Sequence, residues 1–268
     1  MARIDIELVN RNLIDTRAKA QNAIKDGLIY CNDKLITKCS FDVSENDVIE
    51  IKGELLKYVS RGGLKLEKAL RDFDINLSGK VMCDIGSSTG GFSDCAIQNG
   101  IKEIYAIDVG SNQFDNKLKY LPNIHLYENT DFRNMDNNLL KEVNIVTIDV
   151  SFISVTKLIS KIGELENVKE IMCLVKPQFE CGKENADKYK GIINNKQIHY
   201  DVIENLKKEF SSIGFHMNGL TYSPIKGGSG NIEYLMYLRK ESLSNSASTS
   251  ENSIDIRHVI NEAFSKMH

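Results

Sequence analysis

Residues 80–95 read KVMCDIGSSTGGFSDC, and this stretch decides the fold. Val81, Met82, Cys83 and Ile85 make a short apolar run ending in Asp84 and Gly86, the pattern of a buried strand entering a glycine turn. Gly90 and Gly91 follow, then Phe92 and a helix-compatible segment to Asn99 that Gly100 stops. A strand, a glycine-rich turn and a helix N-terminus point backbone N–H groups at a ligand. The spacing D-x-G-x-x-x-G-G departs from the G-x-G-x-x-G of nicotinamide-dinucleotide sites. Glu103 to Ile107 reads as the next strand, and it ends in Asp108, where an acid meets the ribose hydroxyls of a nucleoside. An ordinary βα turn followed by an unrelated acid fits the same residues, so the rest of the chain has to decide.

Downstream, strand-like segments at 81–85, 103–108, 124–128, 144–149, 169–175, 215–222 and 231–238 alternate with helical ones, most clearly 154–165 and 195–212. That alternation predicts an α/β fold with a parallel sheet covered on both faces. Only PIKGGSG (224–230) separates the last two strands, too short for a crossover, so they should pair antiparallel. Residues 64–73 read as a helix with Leu64, Leu66, Ala69, Leu70 and Phe73 on its inner face and Lys65 off that stripe.

Residues 1–58 form a separate small module, with one short helix carrying Arg3, Ile4, Ile6, Leu8, Val9 and Leu13, a second capped by Thr16, and short strands from Leu28 on. A connection at 59–63 leads into a main body at 64–240. The Ser-rich ESLSNSASTSENS (241–253) reads as a linker, and 254–268 as an amphipathic helix.

A net charge of −3 over 268 residues excludes a global basic field, so any phosphate contact must come from a local patch. The six cysteines include no C-x-x-C pair and no His cluster accompanies them, so no metal is expected. The chain has no apolar run of about 18 residues and no signal-peptide pattern at its start, which predicts a cytoplasmic protein without a membrane contact.

Ligands bind outside the carboxyl ends of the strands in such sheets. There the sequence delivers Asp149, Lys176 locked by Pro177, and Glu233 in GNIEY. A lysine ending an apolar strand is costly unless paired or used, and Asp149 is its obvious partner; a structural ion pair fits the two residues equally well. Taken alone, Glu233 fits a solvent-facing strand position and Lys65 a solvated helix face.

SRGGLKLEKAL (60–70), DIGSSTGGFSD (84–94), IDVSFIS (148–154), LVKPQFE (174–180) and SPIKGGSGNIEYL (223–235), in this order, resemble the TlyA family. Its members join an S4-type RNA-binding domain to an FtsJ-like ribosomal RNA 2′-O-methyltransferase, and some carry the name haemolysin A. The resemblance implies a Rossmann-like class I methyltransferase sheet with a terminal antiparallel hairpin, preceded by a small α+β S4-type domain. It implies a catalytic set of Lys65, Asp149, Lys176 and Glu233. It implies S-adenosylmethionine at Asp84, Gly86, Ser87, Gly90, Gly91, Phe92, Asp108 and Asp131. RNA contacts are expected from Arg3, Arg11, Arg17, Lys19 and Arg61, and from Lys183, Lys188 and Lys190 of the insertion 181–196, which also reads as a solvated loop. The implied reaction methylates a cytidine ribose of large-subunit RNA, with the small subunit open as a second target, by a monomer that leaves DNA alone. The sequence departs from the family pattern at Thr16-Arg17, Asn32-Asp33, Ser87, Ser88, Ser93 and Gly228. The rival readings are an assembly factor without catalysis and a membrane-active haemolysin.

Overall fold

A computed structural model describes residues 2–53, 55–240 and 254–267; the expected Ser-rich linker at 241–253 lies outside the described residues. The chain divides into two units, Met1–Ser60 and Arg61–His268.

The first unit runs β1 (Ala2–Arg3), α1 (Ile4–Asn10), α2 (Arg17–Lys25), β2 (Ile29–Cys31), β3 (Lys34–Leu35), β4 (Asp42–Val43) and β5 (Ile49–Ile51). Thr16 caps α2 as expected, its hydroxyl accepting from Lys19 N at 3.3 Å. Asn32 and Asp33 turn the β2–β3 hairpin with φ of 48° and 62°, a left-handed pair that Asn and Asp tolerate. Ile4, Leu8, Ala20 and Ile24 of the helices bury against Ile29, Cys31, Ile36 and Val43 in a core of this unit's own.

The second unit runs α3 (Gly62–Asp72), β6 (Val81–Ile85), α4 (Gly91–Gln98), β7 (Glu103–Ile107), α5 (Asn116–Lys119), β8 (Ile124–Tyr127), β9 (Ile145–Ile148), α6 (Thr156–Gly163), β10 (Glu170–Val175), α7 (Pro177–Glu180), α8 (Gly182–Lys188), α9 (Lys196–Ser211), β11 (Phe215–Tyr222), β12 (Tyr234–Lys240) and α10 (Ile256–Met267). Its seven strands lie in the order β11-β12-β10-β9-β6-β7-β8, parallel except where β12 pairs antiparallel with both β10 and β11. Every residue of β6 is buried, as the centre of a sheet covered on both faces requires. α10 packs on α9 and β11 through Ile256, Ile260, Ala263 and Phe264.

The last strand begins at Tyr234, three residues beyond the expected start at 231. Asn231 serves a different loop: its side chain donates to Gly191 O at 2.7 Å and accepts from Ile193 N at 2.9 Å. The order of strands reverses at β6, with β7 and β8 on one side and β9 and β10 on the other. A crevice opens at such a reversal, outside the ends of β6 and β9.

Candidate active site

Gly86 and Asp149 stand at that crevice. Gly86 has φ of +83°, and a Cβ there would lie 2.6 Å from Asp149 O, so the close approach of the two strand ends excludes any side chain. Gly90, at φ +89°, is boxed in by Phe114 and Leu118 in the same way. The loop between them is tied to the second strand: Asp108 accepts from Ser88 N and from Gly110 N, both at 2.7 Å. Each Asp108 oxygen therefore holds one N–H and keeps capacity for a second donor. Ser87 is 5% exposed, and its hydroxyl is buried with no hydrogen-bond partner. Buried hydroxyls are almost always paired, so this one retains its hydrogen-bonding capacity at the turn.

Four of the expected cofactor residues are engaged within the protein itself. Asp84 is fully buried beneath the turn and accepts from Ser93 Oγ at 2.7 Å and Thr147 Oγ1 at 2.8 Å. Burial pushes its carboxyl up to about 6 against those two hydrogen bonds. Phe92, 3% exposed, is a core side chain of α4, and Gly91 is buried at the start of the same helix. Asp131 caps the turn Phe132–Asn134 and is held by Arg133, whose hydrogen bonds keep its carboxyl below the usual range.

On the other side of the crevice lie the lysines and acids. Lys176 follows β10, extended as the residue before a proline must be, with Pro177 opening α7. Its Nζ is 2.6 Å from Asp149 Oδ1, the pairing expected from sequence, and donates to Ser151 Oγ at 2.9 Å. Val175 pairs with Tyr234 across the antiparallel ladder, so Glu233 leaves the sheet at the same edge as Lys176. Lys65 lies off the expected apolar stripe, yet it is 8% exposed rather than solvated, with its Nζ 2.7 Å from Glu233 Oε2. The four expected catalytic side chains thus form two ion pairs, all delivered to the carboxyl edge of the sheet.

Sequence reading missed Ser151, Phe152 and Glu180. Phe152 is 91% exposed at φ +64°, a rare backbone state for a bulky side chain, and its ring centroid lies 5.1 Å from that of Phe179. Glu180 caps α6 from outside: it accepts from Val155 N at 2.8 Å and from Ser154 Oγ at 2.6 Å. Burial raises its carboxyl, with those two bonds opposing. All three lie inside the motifs IDVSFIS and LVKPQFE that carry the family resemblance, but nothing in their local spacing assigned them a role.

The expected RNA contacts divide. Arg3 and Arg17 converge on Asp5, at 3.0 and 2.9 Å, with their side chains 43% and 52% exposed. Lys19 pairs with Asp15. Arg11 does not fit the expectation: it binds Glu7 and donates to the backbone oxygens of Asp47 and Ser44 at 2.7 and 2.8 Å, which makes it a clamp inside its own unit. Arg61 is exposed at the start of α3. Lys183 and Lys188 stand on α8 and Lys190 just after it, all on the surface. Among the described residues no cluster of three or more His, Cys, Asp or Glu could hold a metal ion, and no helix is long and apolar enough to cross a membrane.

Comparison with known families agrees with this geometry. The profile of FtsJ-like methyltransferases matches residues 58–240, and that of the S4 domain matches residues 2–49. The chain belongs to the FtsJ-like methyltransferase family. Within it, the chain is 44% identical over 239 residues to a Bacillus subtilis protein provisionally named rRNA methyltransferase YqxC, covering 88% of this chain and 85% of that one. It is 36% identical over 250 residues to the 23S rRNA (cytidine-2′-O)-methyltransferase TlyA of Campylobacter jejuni, covering 87% and 97%. A solved structure from Streptococcus thermophilus, provisionally called a hemolysin, superposes with a TM-score of 0.76 at 35% identity over 98% of this chain and 95% of that one. The S4 domain, the FtsJ-like body and these relatives make this a TlyA-type methyltransferase, as the ordered motifs implied.

Proposed function

We propose that this FtsJ-like protein transfers a methyl group from S-adenosylmethionine to a ribose 2′-hydroxyl of ribosomal RNA, a cytidine of the large subunit. The observation that carries the reading is the pair of lysine–carboxylate contacts, Lys65–Glu233 and Lys176–Asp149, beside the glycine loop at one sheet edge. The relatives named for cytidine 2′-O-methylation support the choice of acceptor.

The residues present fit the donor. The unpartnered Ser87 hydroxyl, the Gly86 backbone that no Cβ can crowd, and the spare acceptor capacity of Asp108 would hold its polar groups. When bound, it supplies an electrophilic methyl group on a sulfonium. The chain's own task is to bring a weak nucleophile into line and to take its proton. Lys176 takes the 2′-hydroxyl proton as the oxygen–methyl bond forms, with Asp149 holding the resulting ammonium. Lys65 and Glu233 hold the ribose hydroxyl in position from the other side. Positioning two reactants this way supplies roughly 7 kcal/mol or more of barrier reduction in favourable cases. The S4 unit supplies RNA affinity through Arg3 and Arg17, and Arg61, Lys183, Lys188 and Lys190 add phosphate contacts. DNA lacks the acceptor hydroxyl and is left unmodified.

Purified protein with methyl-labelled donor and ribosomal subunits should label one ribose, located by mass mapping, and Lys176→Ala should abolish labelling while the circular dichroism spectrum is kept. RNA binding without any transfer would replace this reading by a non-catalytic assembly factor. Leakage of dye from liposomes would replace it by a membrane-active protein.

A further inference from the structure

We infer that Ser151 is a positioning residue that aims the Lys176 amine at the hydroxyl to be methylated; the inference rests on the methyltransferase reading above. The geometry is local and specific. Lys176 Nζ has two hydrogen-bonding partners, Asp149 Oδ1 at 2.6 Å and Ser151 Oγ at 2.9 Å, and the Phe179 ring, its centroid 5.9 Å away, takes no hydrogen bond from it. An ammonium has three N–H bonds, so these partners leave one for the substrate oxygen. A neutral amine has two N–H bonds and one lone pair. With Asp149 and Ser151 each accepting one N–H, the lone pair takes the remaining tetrahedral direction, which neither group fills. One acceptor alone would leave the amine free to rotate about its Cε–Nζ bond, and the lone pair would sweep past the acceptor hydroxyl. Ser151 thus turns a lysine into a directed base.

The proton moves from the 2′-oxygen to the lone pair of the neutral amine as that oxygen gains the methyl group and the methyl–sulfur bond of the donor breaks, its electron pair leaving on a neutral thioether. The ammonium so formed keeps both acceptors, and the new third N–H is the one left to release the proton to water.

The surrounding loop is built to keep Ser151 in place. The chain leaves β9 at Asp149, whose N–H is fixed to Ile85 O at 2.9 Å. Phe152 turns left-handed at φ +64°, which sends its own ring outward while the Ser151 hydroxyl stays on Lys176. Two residues further on, Glu180 grips Ser154 Oγ and Val155 N. Glu180 belongs to α7, the helix that Lys176 caps, so loop and lysine are fastened to the same short element. Ser151 is exposed, contributes nothing to the core, and has its hydroxyl on the reacting side chain. Its loss therefore has little to act on except that amine.

The test compares wild type, Ser151→Ala, Ser151→Thr and Lys176→Ala for methyl transfer to ribosomal subunits, with kcat and KM measured separately for donor and RNA. Ser151→Ala should lower kcat about 10- to 100-fold through misdirection of the base. Both KM values should stay within about 2-fold, the mark of an interaction made in the transition state. Ser151→Thr keeps the hydroxyl at an exposed position and should restore most of kcat. A purely structural serine would not show this split or this rescue. The inference is overturned if Ser151→Ala keeps full kcat, if its loss lies in KM, or if Ser151→Thr is as slow as Ser151→Ala. Those results beside an active wild type and a dead Lys176→Ala leave the methyltransferase reading standing, whereas a wild type without transfer removes both.

Discussion

Lys65 Nζ lies 2.7 Å from Glu233 Oε2, although 168 residues of chain separate the two. Their side chains are 10% and 3% exposed, so the pair is almost free of water. The glycine-rich hairpin makes room for it: a Cβ on Gly227 would stand 2.3 Å from Glu233 Oε1. An ion pair in such a place gains little net stability, because desolvation opposes the attraction. Its presence is better explained by chemistry at the edge of the sheet than by folding.

Stability and activity should accordingly separate at this pair. Lys65→Met or Glu233→Leu alone leaves one buried charge without a partner and should cost roughly 3–5 kcal/mol in urea denaturation. The double variant Lys65→Met/Glu233→Leu removes both charges and should recover most of that loss. Methyl transfer should be lost in all three variants. A double variant that regains activity together with stability would reduce the pair to scaffolding.

Asp149 and Lys176 were legible because each closes an apolar strand, and a charged residue in that place announces itself; Lys65, inside α3, and Glu233 gained a role only from the family resemblance. The pairing of the four was legible only in part. Asp149 and Lys176 close strands adjacent in the sheet, but the Lys65–Glu233 contact depends on a helix laid across a hairpin, which no local spacing encodes. Burial was the harder quantity. Asp84 belongs to the loop's motif yet lies beneath it, because the strand that carries it is covered on both faces. Arg11 was one basic residue among several until the backbone oxygens of Asp47 and Ser44 came to meet it. Ser151 and Phe152 depend on a left-handed residue that a non-glycine sequence does not signal.

Phe152 offers an exposed aromatic face three residues after Asp149, backed by Phe179. Aromatic stacking on a nucleobase contributes about 1–3 kcal/mol per base. Phe152→Ala should raise KM for RNA by roughly 5- to 100-fold on that scale, with kcat less affected. Melting temperature should not change, because a side chain 91% exposed buries little apolar area. Phe152→Tyr should restore binding. An unaltered KM in Phe152→Ala would show that no base stacks there.

Asp5 organises the basic face of the S4 unit. It is fully buried and accepts from Arg3 at 3.0 Å, Arg17 at 2.9 Å and Gln21 at 2.8 Å. Burial works against its charge, but the bonds from Gln21, Arg3 and Arg17 prevail and hold the carboxyl well below the usual range. Removing a negative charge should by simple attraction tighten RNA binding. The geometry predicts the reverse for Asp5→Asn, since both guanidinium groups lose the anchor that aims them. Filter binding at fixed salt should show several-fold weaker affinity. Tighter binding would mean that Asp5 merely dilutes the positive patch.

Two buried groups of the second unit titrate against one another. Asp84 is raised by burial from 3.8 to about 6, while His199 is lowered by burial from 6.5 to about 4. His199 is fully buried, with Nδ1 2.7 Å from the Tyr234 hydroxyl and Nε2 2.9 Å from Ile193 O, partners that suit the neutral ring. Between about pH 4 and 6 the folded chain holds a proton on Asp84 that the unfolded chain has released, so this group lowers stability as pH rises. Between about pH 4 and 6.5 the unfolded chain protonates His199 and the folded chain does not, so this group raises stability over nearly the same range. Each effect is on the order of 3 kcal/mol, and in the wild type they largely cancel. Asp84→Asn should leave the histidine unopposed and make stability climb from pH 4.5 to 6.5. His199→Gln keeps a donor and an acceptor in place and should make it fall over the same interval. Urea midpoints at pH 4.5, 5.5 and 6.5 measure both slopes, and variants that track the wild type would show that neither group titrates in this range.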